Sequence, residues 1–555
     1  MKSFYPFAIF ILVLGFSCKK SAPPAPPPPP PPASYSFMAL KVDGVFSGFT
    51  YYNTSFTPQV KLSFSTKIDQ ASIAGAVTLR RRTGGDVSYT SSLENNDSTI
   101  VIQPSSPLAA LTQYILSVST SLKSKEGGSL QTAISINLNT KIDSTDKFPQ
   151  ISDEALLTKV QEQTFKYFWD FGHPVSGLAR ERNTSGETVT TGGSGFGIMA
   201  IVTGIHRNFI TRQQGLARMQ TIVGFLKNSA QRFHGAYSHW LNGTTGAVQP
   251  FSTKDNGADL VETSFLMQGL LTARQYFNGA DAAETNLRND INAIWQGVEW
   301  DWFRKNGENV LYWHWSPNYN WEMNLPIRGW NEALMTYVLA ASSPTHSIPK
   351  IVYDNGWARN GGIINGNTYY GIQLPLGQQL GGPLFFTHYS FIGIDPNNLV
   401  DAYANYKTQN TNHARINYEY CKANPANHFG YSDQCWGLTA SDIPNGYTAS
   451  SPTNDVGVIA PTAALSSFPY TPVESMKALK FFYYKLGDKL WGDYGFKDAF
   501  SLKDAWFADS YLAIDQGPII VMMENYRSGL LWDLFMSCPE IKTGMQNLGF
   551  QSPHF

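Results

Sequence analysis

From Ser36 to about Ile142, apolar and polar positions alternate in short runs: Val60-Lys61-Leu62-Ser63-Phe64, Thr99-Ile100-Val101-Ile102 and Tyr114-Ile115-Leu116-Ser117-Val118. A period of two sends every second side chain to one face of a strand. Short strands broken by Gly, Asn, Asp and Ser at regular spacing predict a β-sandwich over 36–142. The polar stretch Asp143–Gln150 reads as a linker, and beyond it the period changes. Ser152 stands as an N-cap before Asp153 and Glu154, and Leu157, Val160, Phe168 and Phe171 follow at helical spacing. Further helices are predicted at Gly195–His206, Arg212–Gln231, Gly257–Phe277, Asp281–Trp300, Trp330–Ala341, Asn398–Gln409, Asn412–Lys422, Val473–Leu486 and across Ile514–Met536. Roughly a dozen helices joined by long aromatic loops predict a mainly α toroid over 151–555, and loops of that length in a compact domain point to function.

The first residues carry a different pattern. Lys2 precedes an apolar run from Phe7 to Phe16, which ends at Ser17-Cys18-Lys19-Lys20. Such a run is an export signal, here 1–17, and is too short to span a bilayer as a helix. The segment resembles bacterial lipoprotein signals of the Ser-Cys-Lys-Lys form, although Gly15 and Phe16 depart from the strict motif. That resemblance implies acylation of Cys18, against the alternative of an ordinary cleaved signal. The proline run to Pro32 makes 18–35 a semi-rigid stalk. The expectation is an exported lipoprotein of the outer membrane, monomeric, attached through its N-terminal lipid only.

Charge narrows the partners. A formal net charge of −1 offers no basic field for nucleic acid. Aromatic residues make up 14% of the chain and charged residues 15%, a profile common among secreted carbohydrate-active proteins. Cys421 and Cys435 flank a loop containing His428, and in an exported chain the first reading is a disulfide between them. A Cys-His-Cys metal site is the alternative, but it lacks a fourth ligand at recognisable spacing.

Candidate chemistry concentrates in WHWSPNYNWEMNLPIRGWNEAL. Trp313, Trp315, Tyr319, Trp321 and Trp330 stand there beside Glu322, Arg328 and Glu332. Sugar rings offer C–H faces for stacking and hydroxyl edges for polar groups; an aromatic core plug is the competing reading. Glu332, expected in the first helical turn after Trp330, has an apolar wall that would raise its pKa and suit it as a proton donor. Asp255, Asp259 and Glu262, spaced by four and three, are expected as a carboxylate stripe on one helix face. The helix dipole favours their ionised form, which suits a base or hydroxyl acceptor; simple N-terminal capping competes. Asp498, Asp515 and Glu524 recur in apolar surroundings, with Glu524 and Arg527 spaced to pair. Thr191–Gly197 reads as a glycine-rich loop that lets a helix approach closely. There is no HExxH, GxSxG or nucleotide-binding glycine motif, and neither a metal nor a cofactor is expected.

Two family resemblances add to this. Leu62-Ser63-Phe64-Ser65, Val101-Ile102-Gln103-Pro104, Leu111–Leu116 and Lys125-Glu126-Gly127-Gly128 resemble the SbsA-type immunoglobulin-like domain. From about Ser152 to Trp532 the chain resembles the bacterial glucoamylase-like family and, within it, glycoside hydrolase family 144 of endo-β-1,2-glucanases. The motifs are Gly329-Trp330-Asn331-Glu332, Trp436–Asp442, Ile459–Ala464, Asp493–Phe500 and Asp515-Gln516-Gly517-Pro518 with Glu524-Asn525-Tyr526. The resemblance implies an (α/α)6 barrel and an inverting β-glucan hydrolase that works without a metal. Glu332 is then the expected acid and Asp259/Glu262 the base, with Asp515 as the alternative base. Trp315, Trp330, Arg328, His388, Tyr389 and Asp255 are expected to bind substrate. A glycan-binding lipoprotein without catalysis, a hydrolase of another glucan linkage, and an adhesin working through its β-sandwich are the rival readings.

Overall fold

The alternating N-terminal runs form two four-stranded sheets in a computed structural model that describes Pro26 and residues 31–555; Cys18 and the signal segment lie outside the described residues. One sheet has the order β1 (Phe37–Val42), β3 (Val60–Phe64), β6 (Thr99–Pro104), β5 (Tyr89–Glu94), and the other β2 (Thr50–Thr54), β8 (Ile134–Thr140), β7 (Gln113–Val118), β4 (Val77–Arg81). Along β3 and β7 burial alternates strictly, as the period of two requires. By density of contacts the chain divides into two units. One comprises the chain up to Phe49, Thr57–Ser106 and Ile115–Ile136; the other comprises Thr50–Phe56, Pro107–Tyr114 and Asn137–Phe555.

The helical region is an (α/α)6 barrel whose helices sort by burial. A helix apolar all round belongs inside, and one with a single apolar stripe belongs outside. The outer set is α1 (Asp153–Trp169), α3 (Arg212–Asn228), α5 (Ala282–Gln296), α7 (Tyr406–Ala423) and α9 (Pro472–Lys480). Alternating with them, α2 (Thr191–His206), α4 (Leu260–Tyr276), α6 (Leu334–Ser342), α8 (Pro461–Leu465) and α10 (Ala513–Ser528) are buried over nearly their whole length. The inner ring runs α10–α2–α4–α6, with α8 against α10 and the short turn Ser390–Ile392 against α6 and α10. Beyond α10 come α11 (Leu530–Met536) and α12 (Pro539–Leu548), which packs on α6.

Side chains that satisfy orphan amides set the starts. Ser152 accepts from Ala155 N–H to begin α1, Thr211 and Gln214 make a reciprocal capping box on α3, and Asp281 caps α5. Glycine sets the closest contact: a Cβ on Gly195 would come 2.1 Å from Phe265 O, and one on Gly269 2.2 Å from Gly195 O. Only bare backbone lets α2 and α4 meet this closely.

Several expectations change. The glycine-rich Thr191–Gly197 stretch is the first two turns of α2, because its glycines are needed at that helix contact. Residues 398–409 and 412–422 are not two helices; α7 is one, capped by Asn405, while Val400 bridges to Gln551. α6 begins at Leu334, so Glu332 precedes the helix. Gly529, at φ +73°, separates α10 from α11. Glu524 is fully buried and takes Arg207 bidentately at 2.7 and 2.8 Å, whereas Arg527 turns to Glu154, Gln161 and Thr158. The expected Cys421–Cys435 disulfide is absent: both are free, buried thiols. Cys421 lies on the inward side of α7, its sulfur accepting Gly437 N–H, and both pack as small apolar groups whose pKa burial pushes up. His428 meets Asp455 at 3.4 Å, and these cysteines are not among the clustered metal-ligating groups of the described residues. Among the described residues no helix is long and apolar enough to cross a membrane.

Candidate active site

The inner helices bring their N-terminal ends to one cavity of about 400 Å³. Thr190 precedes α2, Glu262 lies in the first turn of α4, Glu332 precedes α6, and Leu512 and Ile514 open α10. Glu181, Arg182, His239, Trp240, Phe251, Phe385, Tyr389, Ala440, Tyr447 and Ala449 complete the lining. Phe251 and Tyr447 keep about half their surface exposed (52% and 50%), so each offers a ring to a ligand. Phe251 stacks on His239 at 4.2 Å and meets the edge of Trp240 at 4.9 Å.

Two carboxyl groups on this cavity differ in their partners. Glu262 Oε2 accepts Gly192 N–H at 2.7 Å, and its Oε1 lies 3.9 Å from His239 Nε2. Burial nevertheless raises its pKa, so the dipole does not set it as expected. Burial pushes Glu332 up to about 7, with Glu262 and Asp259 adding repulsion. Its position is fixed through the backbone: Ser390 Oγ donates to the Glu332 carbonyl and Met335 N–H donates to Ser390. Tyr389 is buried against both glutamates, with Asp515 and Tyr447 also near its hydroxyl.

Behind Glu262 lies a histidine–aspartate cluster. Asp259 caps α4, its Oδ1 accepting from Val261 and Glu262 N–H. Its Oδ2 lies 3.2 Å from His239 Nδ1 and 3.5 Å from His314 Nδ1, and Asp255 approaches the same two nitrogens at 3.4 Å each. The stripe expected on one helix face is therefore a cap, a preceding loop residue and one helical residue. Burial works against charge on His239 and His314, but the surrounding carboxylates outweigh it and raise both.

A second carboxyl group lies beneath Arg182 and Tyr447. Arg182 spans Glu181 at 2.9 Å and Asp442 at 3.2 Å. Asp442 N–H donates to Asp498 Oδ2 at 2.7 Å, and Ser510 Oγ donates to Asp442. Asp498 and Asp515 are buried (2% exposed each), and Asp498 Oδ1 and Asp515 Oδ2 have no other hydrogen-bond partner. Burial raises Asp498 to about 7 and drives Asp515 higher, so the pair retains a proton.

Of the residues singled out in the sequence, Glu332, Glu262 and Tyr389 line the cavity, while Asp515, Asp255 and Asp259 stand behind it. The others do not arrive. Trp330 is buried among Trp357, Phe391 and Tyr406 and donates Nε1–H to His413 at 3.4 Å. Trp315 packs on Phe233, His234 and Trp302, and Arg328 is exposed. His388 is a core histidine hydrogen-bonded to Ser467 at 3.0 Å, its pKa lowered to about 3 by burial. Glu322 pairs with Lys254 at the surface. Sequence reasoning missed Glu181, Arg182, His239, Trp240, Phe251 and Tyr447, which sit on short pieces without periodicity.

Both regions of the chain are similar to known proteins. The family described as "Putative glucoamylase" matches residues 324–539, and "Bacterial Ig-like domain" matches 45–148. The exo β-1,2-glucooligosaccharide sophorohydrolase of Parabacteroides distasonis is 48% identical over 444 residues, 75% of this chain; the chain spans 61% of that relative's length. An endo-β-1,2-glucanase from Chitinophaga pinensis, solved with sophorotriose and glucose, is 54% identical, covers 73% of this chain and is itself covered completely, with TM-score 0.72. A β-1,2-glucanase from Parabacteroides distasonis covers 93% of this chain and is 73% covered, at 38% identity and TM-score 0.70.

Proposed function

Because this chain belongs to the glucoamylase-like family of β-1,2-glucanase relatives, we propose that it hydrolyses β-1,2-glucan by inversion, with Glu332 as general acid and Glu262 as general base. The observation that carries this is the unequal setting of two carboxyls on one cavity. Glu332 has no charged hydrogen-bond donor and burial pushes it up to about 7, so a substantial fraction carries a proton at neutral pH. Burial raises Glu262 as well, but the Gly192 N–H it accepts and the facing His239 work against that rise and favour its carboxylate, two partners that Glu332 lacks. Inversion needs this division of labour, an acid for the glycosidic oxygen and a base for water on the opposite face of the sugar. Phe251 and Tyr447 supply stacking faces and Arg182 a hydroxyl-binding guanidinium. Asp259, capped into the helix and fully buried, is dropped as base. Asp515, paired with Asp498, is a proton-bearing support for the Tyr389 wall rather than a base.

The test is incubation with β-1,2-, β-1,3-, β-1,4- and α-linked glucans, with product sizing and anomer analysis by NMR. The expected result is reducing sugar from β-1,2-glucan alone, released first as the α-anomer. Saccharide binding without release would establish the non-catalytic alternative. The lipoprotein reading belongs to the same proposal, supported by Ser17-Cys18-Lys19-Lys20 alone. Fatty-acid labelling lost in Cys18→Ser checks it.

A further inference from the structure

We propose that His239, Asp255, Asp259 and His314 form a binding site for one divalent transition-metal ion of the zinc class. The backbone builds the site from both sides. Asp259 and His314 are cross-strand partners in the pair β9 (Ala258–Asp259) and β10 (His314–Trp315), so their side chains leave one face. Asp259 Oδ1 is occupied by two amides at the start of α4, which turns Oδ2 inward.

Convergence of four groups, more than any one distance, sets this cluster apart from a lone pair such as His428–Asp455 at 3.4 Å. Asp259 Oδ2 stands 3.2 Å from His239 Nδ1 and 3.5 Å from His314 Nδ1, while Asp255 reaches His239 with Oδ2 and His314 with Oδ1, each at 3.4 Å, its carboxylate straddling the two rings. A charge-assisted imidazole–carboxylate hydrogen bond closes to about 2.7–2.9 Å. Ligands held at about 2.0–2.2 Å around a tetrahedral zinc stand roughly 3.2–3.5 Å apart. Alignment agrees: His239 Nδ1, Asp255 Oδ1, Asp259 Oδ2 and His314 Nδ1 are all buried without a hydrogen-bond partner. Asp259 and Asp255 are 0% and 3% exposed, so bulk water does not serve them. Donor atoms of His239, Asp255 and Asp259 lie within 4.8 Å of one another, and His314 adds a nitrogen facing both carboxylates.

The donor set chooses the ion. Calcium and magnesium take oxygen ligands, whereas two imidazoles with two carboxylates suit zinc and its first-row neighbours. Of the four residues only His239 lines the cavity, so the ion stands behind the wall and acts by position. His239 Nε2 faces Glu262 Oε1 at 3.9 Å, too far for a hydrogen bond, so an ion on Nδ1 would reach Glu262 through charge and ring position. The ion would tie the His239 loop, the β9–β10 pair and the cap of α4 into one unit. The four residues, at 239, 255, 259 and 314, form no compact motif, so the sequence alone does not suggest the site.

The test uses the full chain, stripped with chelator and dialysed against Zn²⁺, Co²⁺ or Ca²⁺, and does not depend on glucan hydrolysis. The expected result is about one tightly bound Zn²⁺ per chain, a higher melting temperature, and Co²⁺ ligand-field bands, with affinity at least ~10-fold weaker in His314→Gln and Asp255→Asn. No stoichiometric Zn²⁺ and no Co²⁺ bands in the wild-type chain overturn the proposal and leave an imidazolium–carboxylate cluster. Stabilisation by Ca²⁺ alone overturns it equally. Because wild-type binding and spectra are read directly, a variant that fails to fold leaves the result decisive.

Discussion

Gly192 donates its backbone N–H to Glu262 Oε2 at 2.7 Å, at a point where no side chain fits between them. A Cβ on Gly192 would stand 2.6 Å from that oxygen and 3.0 Å from Cδ. Gly192→Ala should therefore push Glu262 off its donor and overpack the seam with Phe265. We expect kcat to fall on the order of tenfold or more, with stability lower by about 1–3 kcal/mol. Kinetics and urea melts on the same preparation check both, and an unchanged kcat would remove Glu262 from the mechanism.

Glu332→Gln keeps shape and hydrogen-bonding reach but cannot deliver a proton. Turnover should drop on the order of a hundredfold or more while saccharide binding persists. An acid must be protonated to act, so wild-type kcat should decline as pH rises through about 7, and that limb should be missing from the variant's residual activity. A pH–rate profile of both proteins is the measurement.

Asp498 carries a stability prediction. Folding raises its carboxyl to about 7, above a usual value of about 4 for the unfolded chain. The native state thus keeps a proton that the unfolded chain releases, and this group's contribution makes stability fall as pH rises between those values. Urea midpoints at about pH 5 and pH 8 should differ more in the wild type than in Asp498→Asn. An identical pH slope in the two proteins would count against the shared proton.

The three described cysteines are free and buried, with burial pushing the Cys538 thiol up to about 12. Native protein should leave Cys421, Cys435 and Cys538 unlabelled by a thiol reagent, and all three should react after unfolding without reductant. Peptide mass spectrometry distinguishes this from a disulfide, which would leave Cys421 and Cys435 unlabelled under both conditions.

Legibility followed periodicity. The change of period at Ser152 and the apolar runs that became α2, α4 and α10 marked sheet from helix, because burial on one face or all round leaves a repeat in the residues. Glu332 was singled out by the aromatic loop beside it and by Gly329-Trp330-Asn331-Glu332, and it lines the cavity from just before α6, not from its first turn. The tryptophans around it misled: Trp330 and Trp315 pack on other aromatic rings, and aromatic density has the same signature in a core as in a sugar site. Arg182, His239 and Tyr447 reach the cavity from turns and two- to four-residue strands, where no repeat is long enough to carry a signal. The Asp259–His314 pairing joins positions far apart through a two-residue ladder, which alternation cannot reveal.

Gln268 lies on α4, six residues beyond Glu262. Its Nε2 donates to the Tyr389 carbonyl at 3.0 Å and its Oε1 accepts Gly393 N–H at 2.9 Å. One helix thereby serves as a common ruler for two walls, and a slide along its axis would carry Glu262 and the Tyr389 segment together. In the proposed reaction this would keep the spacing of Glu262 and the Tyr389 wall fixed as the barrel flexes, and would leave adjustment to chains of different length to the exposed rings of Phe251 and Tyr447.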